Sequence, residues 1–257
     1  MNRLERKTMT NLVAIDNKIH KNVRIDSNKA ELHGAELHMI PVVLSEFVNL
    51  AVQYPIVLTK NGDTGQFICI AMLGFKPYEN LFWQNGQWQG LYLPLQIQRQ
   101  PFFVGNVDVE NSEQGVKSNQ VVCVDFDSPT IVENCHDKTE GEPLFTENGV
   151  ETEFFQQAKA RIAQLLQGEV ANQHFIDKLK ELDLLQPLSV EISFVNQEKT
   201  RLNGLYTIDK EKLAALTEQK VFALHQAGFL EAIYTMIASL GQIYALIDKK
   251  NKRLEEK

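Results

Sequence analysis

Two Asn-Gly dipeptides, Asn61-Gly62 and Asn85-Gly86, constrain the fold of this chain more than any other feature of its 257 residues. Asn-Gly readily takes the positive φ that a tight hairpin turn needs. Each pair lies between short apolar runs: Ile56 to Thr59 and Phe67 to Leu73 around the first, Leu81-Phe82-Trp83 and Trp88 to Leu93 around the second. Two hairpin signals in succession predict an antiparallel meander. A two-residue turn at Asn85-Gly86 pairs Gln84 with Gln87 and sets Trp83 opposite Trp88, an arrangement that stabilises a hairpin. Strand signals continue at Pro101-Phe102-Phe103-Val104 and at Val121 to Phe126. Asn106 to Gln120 reads as a polar loop, and Asp127 to Gly149 as an acidic, irregular segment broken by Pro129, Gly141, Pro143 and Gly149.

From Glu153 the apolar period changes from two to about 3.6. Phe154, Phe155, Ala158, Ile162, Leu165 and Leu166 predict a helix over 153–167, with Gly168 as its cap. Asn172 then reads as the N-cap of a second helix carrying Phe175, Ile176, Leu179 and Leu182. Leu188, Val190, Ile192 and Phe194 alternate with polar residues, so that segment predicts a strand with 200–207 returning as its hairpin partner. Asp209 caps a short helix, Thr217 opens another ending near Gly228, and a last helix spans Leu230 to Ile247 with a broad apolar stripe that needs a partner surface. Strands recurring after helices point to one α+β domain over 28–257. Its N-terminal half is an antiparallel, barrel-like meander, with C-terminal helices and an additional β-hairpin packed on it. Residues 1–27 form a polar arm or one edge strand.

A formal net charge of -7 argues against a dense cationic face, and with it against nucleic-acid binding. The one basic cluster, Lys249 to Arg253, is followed at once by Glu255 and Glu256 and reads as a solvated helix end. Three cysteines, Cys69, Cys123 and Cys135, form no CxxC pair, and the first two sit in strand-like apolar runs as small hydrophobes. No signal peptide and no run of about 20 uninterrupted apolar residues is visible, so the expectation is a cytoplasmic protein without a membrane span.

Several segments together resemble one family. Glu79-Asn80-Leu81-Phe82, the run Tyr92 to Phe102, Asp125-Phe126-Asp127-Ser128-Pro129, Glu140 to Phe145, Gly204 to Leu213 and Ala227-Gly228-Phe229-Leu230 are similar to the bacterial SapC-like family. The resemblance covers residues 36–252, and is distinct from the peptide-transporter permease that shares the name. It implies an association with a bacterial surface layer and gene neighbours that include flavin-dependent halogenase-like enzymes, cupin-like proteins and TonB-dependent receptors. It brings no settled biochemical activity with it.

The residues themselves offer two candidate sites. Trp83, Trp88 and Tyr92 form an aromatic segment, either as hairpin packing or as a stacking platform, with Arg99 as a fork for a carboxylate or phosphate. Asp125 and Asp127 are two apart and on a regular strand would share a face, roughly 6–7 Å from one another. With Glu142 they could serve a metal-assisted enzyme, with His136 as a further weak ligand, or Arg99 could simply pair with either aspartate across the sheet. Asp127 as the cap of a turn in a solvated acidic loop is the plainer reading. No nucleophile elbow, phosphate loop or metal-ligand spacing is present, and no cofactor is expected. The leading expectation is a non-enzymatic binding or accessory protein. Its partner would be a protein or a second copy on the C-terminal helix, the halogenase-like enzyme or a TonB-linked uptake system among them. A surface-layer component is the third alternative.

Overall fold

The computed structural model describes residues 11–111, 115–132 and 140–256, with the backbone alone over 106–119. In chain order its elements begin with β1 (Leu12–Ala14), β2 (Arg24–Ile25), β3 (Met39–Pro41), α1 (Phe47–Leu50), β4 (Ile56–Lys60) and β5 (Phe67–Met72). Next come β6 (Trp83–Gln84), β7 (Gln87–Trp88), α2 (Leu95–Gln98), β8 (Phe102–Asn111), β9 (Gly115–Asp125), β10 (Ile131–Val132) and β11 (Glu142–Pro143). The C-terminal half holds α3 (Glu153–Glu181), β12 (Leu185–Ser193), β13 (Lys199–Ile208), α4 (Lys210–Ala214), α5 (Glu218–Gln226), α6 (Phe229–Ser239) and α7 (Gln242–Glu255). The architecture is α+β, with antiparallel sheets and C-terminal helices; no barrel closes among the described residues. The chain divides into two compact units, Met1–His33 with Ile97–Gln164 and Gly34–Gln96 with Leu165–Lys257.

The first unit contains the sheet β1-β9-β8 and the short sheet β10-β2-β11. β8 and β9 pair continuously from Phe102↔Val124 to Asn111↔Gly115, so 106–120, expected to be a loop, is mostly ladder. The reason lies in Asn106-Val107-Asp108-Val109-Glu110: valines alternate with polar residues at the strand period of two, although the composition is that of a loop. β1 is an edge strand on β9, while residues 1–10 of the expected arm lie outside the described residues. Arg24 on β2 clamps the turn before β11, its Nε donating to Glu140 O at 2.7 Å and its Nη2 to Gly141 O at 2.5 Å. Phe155 on the first half of α3 packs against Phe102 and Phe145, with ring centroids 5.8 and 5.5 Å apart.

The second unit is built on the antiparallel sheet β12-β13-β4-β5-β3. Both Asn-Gly hairpins form, with different turns. At the second, Asn85 and Gly86 both take positive φ, 52° and 77°, and Trp83 pairs with Trp88. At the first, Asn61 instead accepts from Asp63 N and Thr64 N through its side chain, and the left-handed residue is Gly65, at φ 67°. Successive residues Ile56, Val57 and Leu58 are fully buried, so β4 is covered on both faces. α6 contributes Ile233 and Met236 to this core. Its Ser239 Oγ accepts from Ile56 N at 2.9 Å and donates to Met236 O at 2.7 Å, which satisfies a strand donor that would otherwise be orphaned in the interior. Cys69 on β5 is buried, and burial pushes its thiol up to about 12; Cys123 is buried as well, and Cys135 lies outside the described residues.

Two helices depart from the sequence expectation. The predicted pair over 153–182 is one helix of 29 residues. Gly168 is not a cap: it lies inside α3, where an added Cβ would come within 2.5 Å of Val43 Cβ. Asn172 is not a cap either, since its side chain bridges the chain beside the helix, donating to Val42 O at 2.7 Å and accepting from Leu44 N at 2.9 Å. The helix ends at Glu181 and is closed by Asp183, left-handed at φ 52°, with Leu184 N returning to Leu179 O at 2.9 Å. The predicted last helix is two, because after Ser239 the backbone bonds shorten to Leu240 N–Ile237 O and Gly241 N–Ala238 O. Together Phe229–Glu255 is long and apolar enough, by length and composition, to cross a membrane. Ile233, Met236, Ile243 and Leu246 of that stretch are buried within the second unit.

Candidate functional site

The tight turn at Asn85-Gly86 sends the two tryptophans to different surroundings. Trp88 is buried, stacked on Phe82 at 6.3 Å, and its Nε1 donates to Tyr54 Oη at 3.1 Å. Tyr54 Oη donates in turn to Tyr92 O at 2.7 Å, and the Tyr92 hydroxyl donates to Glu46 Oε2 at 3.2 Å. Glu46 is 1% exposed and ties three segments together, since Oε1 accepts from Val43 N at 3.1 Å and Oε2 also accepts from Leu95 N at 2.9 Å. Burial raises the Glu46 carboxyl above its ordinary value, against the pull of these three donors. Trp88 and Tyr92, expected as site residues, therefore belong to a packed polar core. Gly90 is part of it too, since a Cβ there would sit 2.1 Å from Tyr54 Oη.

Trp83 faces outwards and lines a cavity of about 330 Å³ with Tyr78, Glu79, Asn80, Lys250 and Arg253. Local structure holds the polar members in place. Asn80, 3% exposed, donates to Gly34 O at 2.6 Å and accepts from Phe82 N at 2.8 Å, which fixes the loop entering β6. Gly74 allows that loop to return close by, since a Cβ there would meet Glu79 O at 2.1 Å. Glu79 accepts from Phe75 N at 2.9 Å and pairs with Lys250, the two side chains being only 13% and 11% exposed. Removing one member of such a buried pair typically costs about 3–5 kcal/mol, because the other is left charged and alone. Burial pulls the His38 imidazole below its ordinary pKa, with the Glu79 charge opposing. One helical turn beyond Lys250, Arg253 donates through Nη1 to Asn80 O at 2.9 Å and through Nη2 to Trp83 O at 2.8 Å.

The expected solvated helix end is thus half inward. Ile243, Leu246, Lys250 and Arg253 fall at helical spacing, so the buried stripe of α7 continues into two cations that grip the aromatic hairpin. That spacing was the available signal, hidden because Lys249 and Lys252, between and beside them, point the cluster's composition towards solvent. Chemically the cavity offers two aromatic faces, a neutralised Lys–Glu pair and one further cation. It holds no serine or cysteine nucleophile.

The remaining expected site residues lie in the first unit. Arg99 donates to Phe102 O at 2.8 Å and lies over the Phe103 ring at 4.2 Å, directly after the helical turn α2. Asp125 closes β9, but Asp127 falls in the turn after it, so the two do not share a strand face. The cap of that turn is Asp125, whose Oδ1 accepts from Asp127 N at 3.0 Å. Glu142 sits on β11 opposite Ile25. His136 lies outside the described residues. Among the described residues no three His, Cys, Asp or Glu side chains gather as metal ligands. A Ser–His contact does occur, His33 Nε2 to Ser128 Oγ at 2.9 Å, which the sequence did not reveal. Ser128 is 6% exposed, and its Oγ is also bonded to Thr130 Oγ1 at 2.8 Å and accepts from Thr130 N at 3.2 Å, so it holds a turn and offers no accessible nucleophile.

Compared with known proteins, residues 15–246 match the family model described as SapC. No curated protein and no solved structure matches the chain.

Proposed function

For this chain, which belongs to the SapC family, we propose a non-enzymatic binding protein that takes a small ligand between Tyr78 and Trp83. The carrying observation is that cavity: two aromatic residues and a fixed guanidinium around about 330 Å³, at the small end of ligand sites. Ligand binding to the folded state alone raises stability by about 2.7 kcal/mol at a hundredfold excess over Kd. In a thermal-shift panel of small aromatic acids, amines and sugars, at least one compound is expected to raise the melting temperature of the wild type and not of Trp83→Ala. A panel without shifts, or shifts kept in Trp83→Ala, counts against the reading.

The accessory role extends to a protein partner or a second copy on the C-terminal helices. It is supported by Tyr234 on α6 and Tyr244 on α7, which are 58% and 78% exposed. Light scattering after size exclusion is expected to show a mass above that of one chain, or a co-purifying partner, lost on Tyr234→Ser/Tyr244→Ser. A single-chain mass across micromolar concentrations, with no partner recovered, speaks against it.

A further inference from the structure

We propose that the ligand of the Tyr78–Trp83 pocket is a small aromatic carboxylate, its carboxylate held by Arg253 and its ring by the two aromatic side chains; this rests on the binding reading above. The charges decide the sign. Lys250 is neutralised by Glu79, whose second oxygen is occupied by Phe75 N. Arg253 has no such partner: its bonds go to two backbone carbonyls, and no carboxylate pairs with it among the described residues. A guanidinium carries five N–H donors, so those two bonds leave donors over for an incoming anion. They also orient the planar fork in advance, which removes part of the ordering cost of binding. In a chain of net charge -7 this is a local excess of positive charge at a half-enclosed surface. A cationic ligand would meet Arg253 and find Glu79, the one carboxylate among the described lining residues, already committed.

The backbone supports the aromatic half of the argument. Tyr78 sits at φ 65°, a left-handed conformation that glycine or asparagine adopts more readily, and its side chain is left 57% exposed. A bulky residue held there against its backbone preference, at the mouth of a cavity, is the kind of local strain that a site sustains for a purpose. Trp83 supplies the second face, and its own carbonyl is one of the two groups that hold Arg253. Ring and anion sites are therefore mechanically joined: the hairpin that presents the indole also aims the guanidinium.

The test uses phenylacetate, its neutral amide phenylacetamide, acetate and inorganic phosphate, titrated into the full chain by calorimetry and by tryptophan fluorescence. Phenylacetate is expected to bind at least tenfold more tightly than phenylacetamide and than either ringless anion. Arg253→Gln is expected to erase the preference for carboxylate over amide. Because Arg253 also braces the hairpin, Tyr78→Gly provides an independent arm: it relieves the left-handed strain, so the melting temperature should hold or rise while phenylacetate affinity falls at least fivefold. Equal affinity for phenylacetate and phenylacetamide overturns the carboxylate assignment and leaves the pocket reading standing. Tighter binding of phosphate than of phenylacetate overturns the aromatic assignment. Absence of binding by all four probes, or binding unchanged in Tyr78→Gly, overturns the proposal, and absence by all four together with a silent compound panel overturns the pocket as well.

Discussion

Glu46→Ala is expected to destabilise the protein by about 3 kcal/mol or more, among the largest effects of any single substitution, as a drop of roughly 6–12 °C in melting temperature. The carboxylate accepts from Val43 N, Leu95 N and the Tyr92 hydroxyl in a site that is 1% exposed. Alanine leaves those donors unpaired in the interior, at about 1–3 kcal/mol each before relaxation, and opens a cavity as well. Glu46→Gln separates shape from charge: an amide fills the space but must turn its NH₂ towards a donor on one side. Its cost should be smaller than that of alanine and should depend on pH. The folded-state pKa of Glu46 is raised, by burial first of all, above the unfolded value. The stability this group contributes is therefore fully present below the unfolded pKa, just under pH 5, and is lost as pH rises through the folded value. Chemical denaturation across pH 4–8 should show the advantage of wild type over Glu46→Gln shrinking with rising pH and then levelling. A constant or growing advantage would show that the three donors outweigh burial.

Gly168→Leu is expected to cost about 3 kcal/mol, at the upper end of the range for overpacking. Glycine in a helix interior ordinarily costs about 1 kcal/mol relative to alanine, so a substitution at 168 should help if the helix were alone. It is not alone, because an added Cβ would stand 2.5 Å from Val43 Cβ and 2.6 Å from Val43 Cγ1. Val43 cannot give way easily: its N–H is tied to Glu46, and its neighbours Val42 and Leu44 are bonded to Asn172 one turn along the same helix. Gly168→Ala should come out closer to neutral, propensity offsetting part of the clash. Val43→Gly, which removes both the Cβ and the Cγ1 that the added atom would meet, should recover part of the loss in Gly168→Leu, measured as a double-mutant cycle in urea. Simple additivity of the two would mean that helix and segment do not press on one another at that point.

What could be read in advance and what could not follows a physical division. The Trp83–Trp88 pairing, the β12–β13 hairpin and the Asp209 cap depend on residues within a few positions of one another, and local pattern carries them. Gly168 was misread because a glycine after an apolar helical run looks the same whether it ends the helix or admits a neighbour 125 positions away. Glu46 resembles any glutamate near a helix start, and nothing local announces that Tyr92 and Leu95 will close over it. The pocket was half visible: Trp83 stood out, while Lys250 and Arg253 were lost among cations of a solvated end. Arg99 is an isolated arginine beside aromatic residues in the sequence, whereas the arginine that reaches Trp83 is Arg253, from the far side of the sequence.

That distance has a consequence in time. The bonds from Arg253 to Asn80 O and Trp83 O, and from Lys250 to Glu79, close loops of 173, 170 and 171 residues. During synthesis the hairpin can form as soon as Trp88 has emerged, because its own contacts are local. The guanidinium that completes the pocket cannot arrive until α7 has left the ribosome and docked. A nascent chain thus carries its aromatic surface without its cation until the 170 residues that separate Trp83 from Arg253 have been made.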